Sequence, residues 1–355
     1  MPRRLRQITR GYFDIVKNEG EALRVVGWMF RLDGPFEQFE LRLNGRAVER
    51  QPAIELDRVG KAYASVPHAG QSGFSFLHPS AGSSGTVEVV GLRNGRAEGS
   101  IRSVLPKDPE ALGALPPTPL MLRVTGSDNP DFFRADGGRT FADFASAVER
   151  HGGFGGIRRM LDWGCGCGRV TAYFLADGRV AEVHGVDIDG EATAWCAQAL
   201  PRGRFQQTGL YPPLPFPDGF FDLVIAYSVF THLERGVQKS WLDEMKRILS
   251  PGGLLLATVH GEFAALFTFP DRAPRTLRER LSEWLGRRPA IEGEINDSTV
   301  DHAIDRLAPG GYYRSVFQTR RYTRREWSPI LDVLEYREAG VGNFQDLVVL
   351  RRRAG

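Results

Sequence analysis

The chain has 355 residues, with 46 Lys and Arg against 43 Asp and Glu and a formal net charge of +3. That balance excludes the concentrated basic footprint of a nucleic-acid binder, while the length, with 42% apolar residues, suits two cores rather than one. Met1 to Arg10 is basic, but no apolar run of signal-peptide or membrane-spanning length follows it, and the three cysteines read as reduced thiols; a cytoplasmic protein without an integral membrane segment is expected, its oligomeric state open.

From the start to about residue 103, short apolar runs such as Leu23–Phe30, Phe39–Leu43 and Thr86–Val90 are punctuated by the turn pairs Asp33-Gly34, Asn44-Gly45 and Asn94-Gly95. The pattern predicts a small antiparallel β-sandwich over 1–103. Prolines 106, 109, 116, 117 and 119 then predict a stiff linker over 104–119 with few contacts between its flanking domains, since proline denies both helix and ladder donors. A second domain runs over 120–355. Its first predicted helix spans Thr140 to His151, with Phe141, Phe144, Ala145 and Val148 on one side, after a loop given mobility by Gly137-Gly138.

The most informative run is Met160-Leu161-Asp162-Trp163-Gly164-Cys165-Gly166-Cys167-Gly168-Arg169, an apolar strand end breaking into alternating glycines before a helix over Arg169–Ala176. Such a turn removes every Cβ that would block a ligand and permits φ > 0 where the chain reverses. A second apolar strand, Val183–Val186, ends in Asp187, where nucleotide-binding sheets place the carboxylate that holds a ribose diol. The glycine spacing departs from the G-x-G-x-x-G of a dinucleotide fold. Further on, Pro212-Pro213-Leu214-Pro215-Phe216-Pro217-Asp218-Gly219-Phe220-Phe221-Asp222 enters a strand ending at Tyr227. A helix over about Val237–Leu249 with one apolar face is stopped by Ser250-Pro251-Gly252-Gly253, and Leu254–Val259 reads as a buried strand.

These landmarks in order resemble class I S-adenosylmethionine-dependent methyltransferases, closely over about residues 120–260 and more loosely over 310–351. The resemblance implies a Rossmann-like α/β domain with a mostly parallel seven-stranded sheet and an antiparallel last strand, and S-adenosyl-L-methionine as cofactor. It also implies that the methionine end sits over Gly164, Cys165, Gly166 and Gly168 beside Asp162, flanked by Tyr227 and Ser228, with Asp187 on the ribose and Ile188 against adenine. Leu210 stands where many relatives carry an acid for the adenine amino group, so backbone groups of Gly209 and Leu210 are expected to substitute. Asp189 is open between a ligand contact and a helix N-cap. More loosely, the N-terminal pieces resemble β-sandwich modules attached to bacterial glycosyltransferases and other glycan-processing enzymes.

An acceptor hydroxyl must lose a proton, and two histidines, His232 and His260, follow predicted strand ends at the cleft as candidate bases; packing is the competing reading for each. Cys165 and Cys167 lack the further ligands a metal needs, so no metal is expected. An insertion over 261–311 contains a predicted lid helix at Arg275–Leu285. Gly310–Phe317 and Gln345–Leu350 read as the last two strands, with Tyr312, Tyr313 and Arg314 bordering the acceptor. The chemistry expected is O-methylation of a small molecule or glycan. N-methylation of an amino sugar or small amine is the alternative enzyme reading, and a glycan-binding protein with a non-catalytic cofactor domain is the alternative outside enzymes.

Overall fold

The computed structural model describes residues 7–79, 82–268, 295–301 and 304–354. The predicted lid helix at 275–285 lies outside the described residues. Strands β1 (Thr9–Glu19), β2 (Ala22–Arg31) and β5 (Gly73–Pro79) form one antiparallel sheet; β3 (Gln38–Leu43), β4 (Arg46–Pro52), β6 (Gly85–Arg93) and β7 (Arg96–Leu105) form a second, in the order β4-β3-β6-β7. Asn44 and Asn94 take the positive φ that two-residue hairpin turns require, 49° and 50°. Phe13, Val25, Phe39, Phe74, Phe76 and Val89 from both sheets share one core, and a short helix, α1 (Asp57–Ala62), follows β4.

The linker is less detached than its prolines suggest. Arg134 donates to the carbonyls of Leu112 and Gly113 at 3.1 and 2.6 Å, pinning it to the second domain, and helix α2 (Thr118–Thr125) carries Pro119 in its first turn. Next comes α3 (Pro130–Arg150), capped by Asn129, whose side chain accepts from Asp131 and Phe132. This corrects the expectation of a helix beginning at Thr140 behind a mobile glycine loop: Gly137 and Gly138 lie in the helix interior. A Cβ at Gly137 would stand 2.5 Å from the Arg169 carbonyl, and one at Gly138 would stand 2.8 Å from Ser103 Oγ. Glycine costs about 1 kcal/mol of helix propensity per residue, but here it lets α3 pack between β7 and the helix after the glycine turn. Lys17 on β1 also pairs with Asp131 at 2.8 Å. The few-contacts expectation is therefore corrected too.

The main sheet contains β8 (Arg159–Trp163), β9 (Glu182–Asp187), β10 (Arg204–Gln207), β11 (Phe221–Ala226), β12 (Leu249–Val259), β15 (Asp332–Val341) and β16 (Gln345–Arg351), in the order β10-β9-β8-β11-β12-β16-β15. The first five run parallel and β16 runs antiparallel to both its neighbours. Helices α4 (Thr171–Asp177), α5 (Gly190–Ala199), α6 (Arg235–Ile248), α7 (Glu262–Thr268) and α8 (Arg320–Trp327) connect the strands. The apolar runs Leu223–Ala226 and Leu254–Val259 are buried on both faces, as a covered parallel sheet requires.

The expectation that Gly310–Phe317 is a strand of this sheet fails. Arg314–Gln318 is β14, paired with β13 (Ile295–Val300) in a separate ribbon, and the penultimate strand is Asp332–Val341. Strand order reverses between β8 and β11, which opens a crevice at their C-terminal ends, where such sheets bind ligands. No described helix is long and apolar enough to cross a membrane.

Candidate active site

A cavity of about 260 Å³ occupies that crevice. Its floor is the turn after β8, where Gly164, Gly166 and Gly168 all take positive φ, 80°, 52° and 78°; Gly164 and Gly166 line the cavity, whereas Gly168 lies outside its wall against Leu200 and Cys196. A Cβ at Gly166 would come within 2.5 Å of Val124 Cγ1 on α2. Asp187, at the end of β9, accepts from Gly166 N at 2.7 Å through one carboxylate oxygen and from Asp189 N at 2.8 Å through the other, so the distal acid and the turn hold each other. Burial raises the Asp187 pKa against these hydrogen bonds.

Asp162 is buried and accepts from Thr171 Oγ1 at 2.5 Å. Burial, with the nearby Asp187 charge adding, pushes its carboxyl up to about 7. Asp189 is resolved as the α5 N-cap, accepting from Glu191 and Ala192, and it pairs with Arg123 of α2 at 2.7 Å while also lining the cavity. Ile188, Thr208, Gly209 and Trp241 wall the end nearest β9 and β10. Leu210 is not in the wall: its carbonyl is taken by Tyr312 Oη and, at 3.3 Å, by Trp241 Nε1. The expected substitution by a Leu210 backbone group is corrected, since the carbonyl braces Tyr312.

Tyr227 and Ser228 line the cavity after β11. Ser228 has φ 60°, donates its amide to Thr258 Oγ1 at 2.8 Å, and receives Gln345 Nε2 on its hydroxyl at 3.0 Å. His232 also faces the cavity. Its Nδ1 donates to the Arg314 carbonyl at 3.0 Å, which leaves Nε2 as the lone-pair nitrogen, and its ring stacks on Tyr313 at 3.9 Å. Burial pushes its pKa down to about 4, so it is neutral near pH 7. His260 is 6.3 Å from His232 between ring centroids but outside the cavity wall. It packs beside Phe317 and Phe344, 5.1 and 5.8 Å away, and burial lowers its pKa to about 3. Tyr312 and Tyr313 line the wall. Arg314 turns away and donates to the Asp297 carbonyl at 3.0 Å.

Residues 161–257 match the family model described as a methyltransferase domain. The chain is similar to an uncharacterized methyltransferase of Schizosaccharomyces pombe, 35% identical over 106 residues, covering 27% of this chain and 37% of that protein. An uncharacterized methyltransferase of Synechocystis sp. is 32% identical over 128 residues, covering 36% and 59%. A fatty-acid O-methyltransferase of Mycolicibacterium smegmatis is 29% identical over 164 residues, covering 43% and 56%. The chain thus spans between 37% and 59% of the length of these relatives.

Several cavity residues lie outside residues 161–257. Leu120, Arg123 and Val124 come from α2, and Ile304 and Leu307 from the insertion. The spacing of Leu120 and Val124 behind Pro119 was the available signal for the first group, one helix face after a helix-starting proline. Within residues 161–257, Cys165 and Cys167 also line the floor. Hydrogen bonding with Cys196 and burial hold the Cys165 thiol well above its usual pKa, and burial pushes that of Cys167 up to about 12. Both thiols are protonated near neutral pH. Among the described residues no three His, Cys, Asp or Glu side chains are grouped to hold a metal ion.

Proposed function

We propose that this protein is an S-adenosyl-L-methionine-dependent methyltransferase that methylates an oxygen of a small molecule. The observation that carries the reading is the cradle: a turn of left-handed glycines whose Gly164 and Gly166 lie on the cavity floor, with Gly166 tied to Asp187 at 2.7 Å. The residues fit the cofactor because the glycine turn brings bare backbone to the cavity floor at Gly164 and Gly166, and because Asp187 keeps lone pairs for two ribose hydroxyls beyond the amides it already accepts. Ile188 and Trp241 offer apolar surface to adenine, and Asp162 with the turn amides suits the charged methionine end.

The cofactor brings an already activated sulfonium methyl. What the chain adds is alignment of donor and acceptor, an effect that reaches roughly 7–11 kcal/mol in well-oriented systems, together with removal of the acceptor's proton. His232 is neutral, lines the cavity, and has its Nε2 free to accept that proton because Nδ1 is bound to Arg314 O. His260, outside the wall, acts by packing beside it. The wall's carboxylates, Asp162, Asp187 and Asp189, each hold groups of the cradle, so a neutral imidazole beside Tyr313 favours a hydroxyl over an ammonium acceptor.

Among the described residues, the large apolar side chains exposed on the N-terminal sheets are Val48, Ile54 and Leu77. These are aliphatic rather than the aromatic platforms on which sugar rings stack, which favours a small molecule over a glycan. Calorimetric titration with S-adenosylmethionine and with S-adenosylhomocysteine tests the cofactor. Release of S-adenosylhomocysteine from a panel of phenols, alcohols and amines tests the acceptor. Absence of cofactor binding overturns the reading, and turnover confined to amines replaces O- with N-methylation.

A further inference from the structure

Arg139 is the most anomalous charge in the molecule. It lies in the middle of α3, 1% exposed, and none of its three guanidinium nitrogens has a hydrogen-bond partner among the described residues. A buried cation without a hydrogen-bonded partner is strongly unfavourable; the Asp143 carboxylate, one helical turn along α3, supplies an opposite charge, and the guanidinium itself needs a surface to rest on. A small anion does not suit the place, because those nitrogens are closed off from solvent and leave it no room. The ring of Tyr12 does: the Arg139 guanidinium sits 4.2 Å from its centroid, within cation–π range. Tyr12 belongs to β1 of the N-terminal sheets. Arg10, on the same strand, stands 4.5 Å from that ring and 4.4 Å from Phe344, in the β15–β16 turn.

On its other side Arg139 meets that turn. A Cβ at Gly342 would lie 3.1 Å from Arg139 Nη2 and 3.8 Å from Tyr227 Oη. One helical turn further along α3, Asp143 accepts from Gly342 N at 2.8 Å. Near the start of the same face, Asp136 pairs with Arg169 at 2.5 Å, and Arg169 lies 4.9 Å over the Tyr227 ring. Positions 136, 139 and 143 therefore share one helix face, and this face joins β1 to Tyr227 and Arg169, both in the cavity wall.

We propose that the N-terminal sheets are a positioning element of the cofactor cleft, in which Tyr12 holds Arg139 and Arg139 in turn holds Tyr227 and the turn at Gly342. The proposal rests on the reading that the cavity takes S-adenosylmethionine. It gives the N-terminal domain a part in the cleft itself, and Tyr12 is a positioning residue, acting through Arg139 and touching no ligand.

The test measures S-adenosylhomocysteine affinity by calorimetry, alongside the melting temperature, in the full chain. Tyr12→Leu removes the ring and is expected to weaken binding at least tenfold. Tyr12→Phe keeps the ring and is expected to stay within threefold of wild type. Val89→Ala, in the core between the two N-terminal sheets and on β6, is expected to lower the melting temperature without changing affinity. If Tyr12→Leu is insoluble, Arg139→Met reads the same link from the other side and is expected to lose at least tenfold. Wild-type affinity in a folded Tyr12→Leu or Arg139→Met variant overturns the proposal, as does an equal loss in Val89→Ala, which would mark a general stability effect. A wild-type protein that binds no S-adenosylhomocysteine removes the cofactor reading and this proposal together.

Discussion

Replacing Asp187 with alanine removes one carboxylate from three tasks. It deletes the acceptor for Gly166 N at 2.7 Å, the acceptor for Asp189 N at 2.8 Å, and the group proposed to hold the ribose. A hydrogen bond to a charged group contributes about 1.5–3 kcal/mol. The loss of the ribose contact alone corresponds to roughly a tenfold to hundredfold rise in the S-adenosylmethionine dissociation constant. The two orphaned amides act separately, on the turn, and are expected to lower the melting temperature whether or not ligand is present. Asp187→Asn keeps one acceptor oxygen and is expected to fall between wild type and alanine. Calorimetric titration paired with thermal unfolding separates the two effects. A lowered melting temperature with an unchanged dissociation constant would refute the ribose assignment and leave Asp187 as a brace for the glycine turn.

Gly166→Val is expected to abolish cofactor binding in titration; because Gly166 has φ 52° and a Cβ there meets Val124, a shift of α2 and a lower melting temperature accompany the loss, and normal binding would show that the turn is not the cradle. Asp162, raised to about 7 chiefly by burial, is expected to make affinity for the cationic cofactor increase between pH 6 and pH 8 and then level off; a flat profile in titrations across that range contradicts it. The same raised pKa means that the ligand-free fold binds this proton more tightly than the unfolded chain, so the stability it contributes is full below about pH 4 and is lost as pH rises through about 7. Asp162→Asn should flatten that part of a melting-temperature profile. His232→Gln is expected to lower kcat for a hydroxyl acceptor by about 10²–10⁴-fold, the usual range for a general base, with S-adenosylhomocysteine affinity within a few fold; undiminished turnover would assign His232 to packing against Tyr313.

The parts of the cleft legible from the chain are those built by local chemistry. The alternating glycines can only be a turn that needs φ > 0, and Asp187 ends an apolar strand at the distance a βαβ unit sets. The buried runs 223–226 and 254–259 can only be covered parallel strands. The tight hairpins at Asn44-Gly45 and Asn94-Gly95 were equally readable, because their residue types select the turn. Partners distant in sequence settled the rest. Gly137-Gly138 reads locally as a hinge, yet the close approach of β7 and the Arg169 carbonyl makes glycine the residue that fits inside α3. Arg314–Gln318 reads locally as a strand of the main sheet but pairs with β13. His232 and His260 look alike in sequence, and only the packing of Phe317 and Phe344 keeps one of them out of the cavity. The attachment of the N-terminal sheets was hidden for the same reason. The chain encodes periodicity, caps and turns within a few residues, whereas the partner of a buried guanidinium such as Arg139 is fixed by a ring 127 positions away, once the two domains have closed on each other.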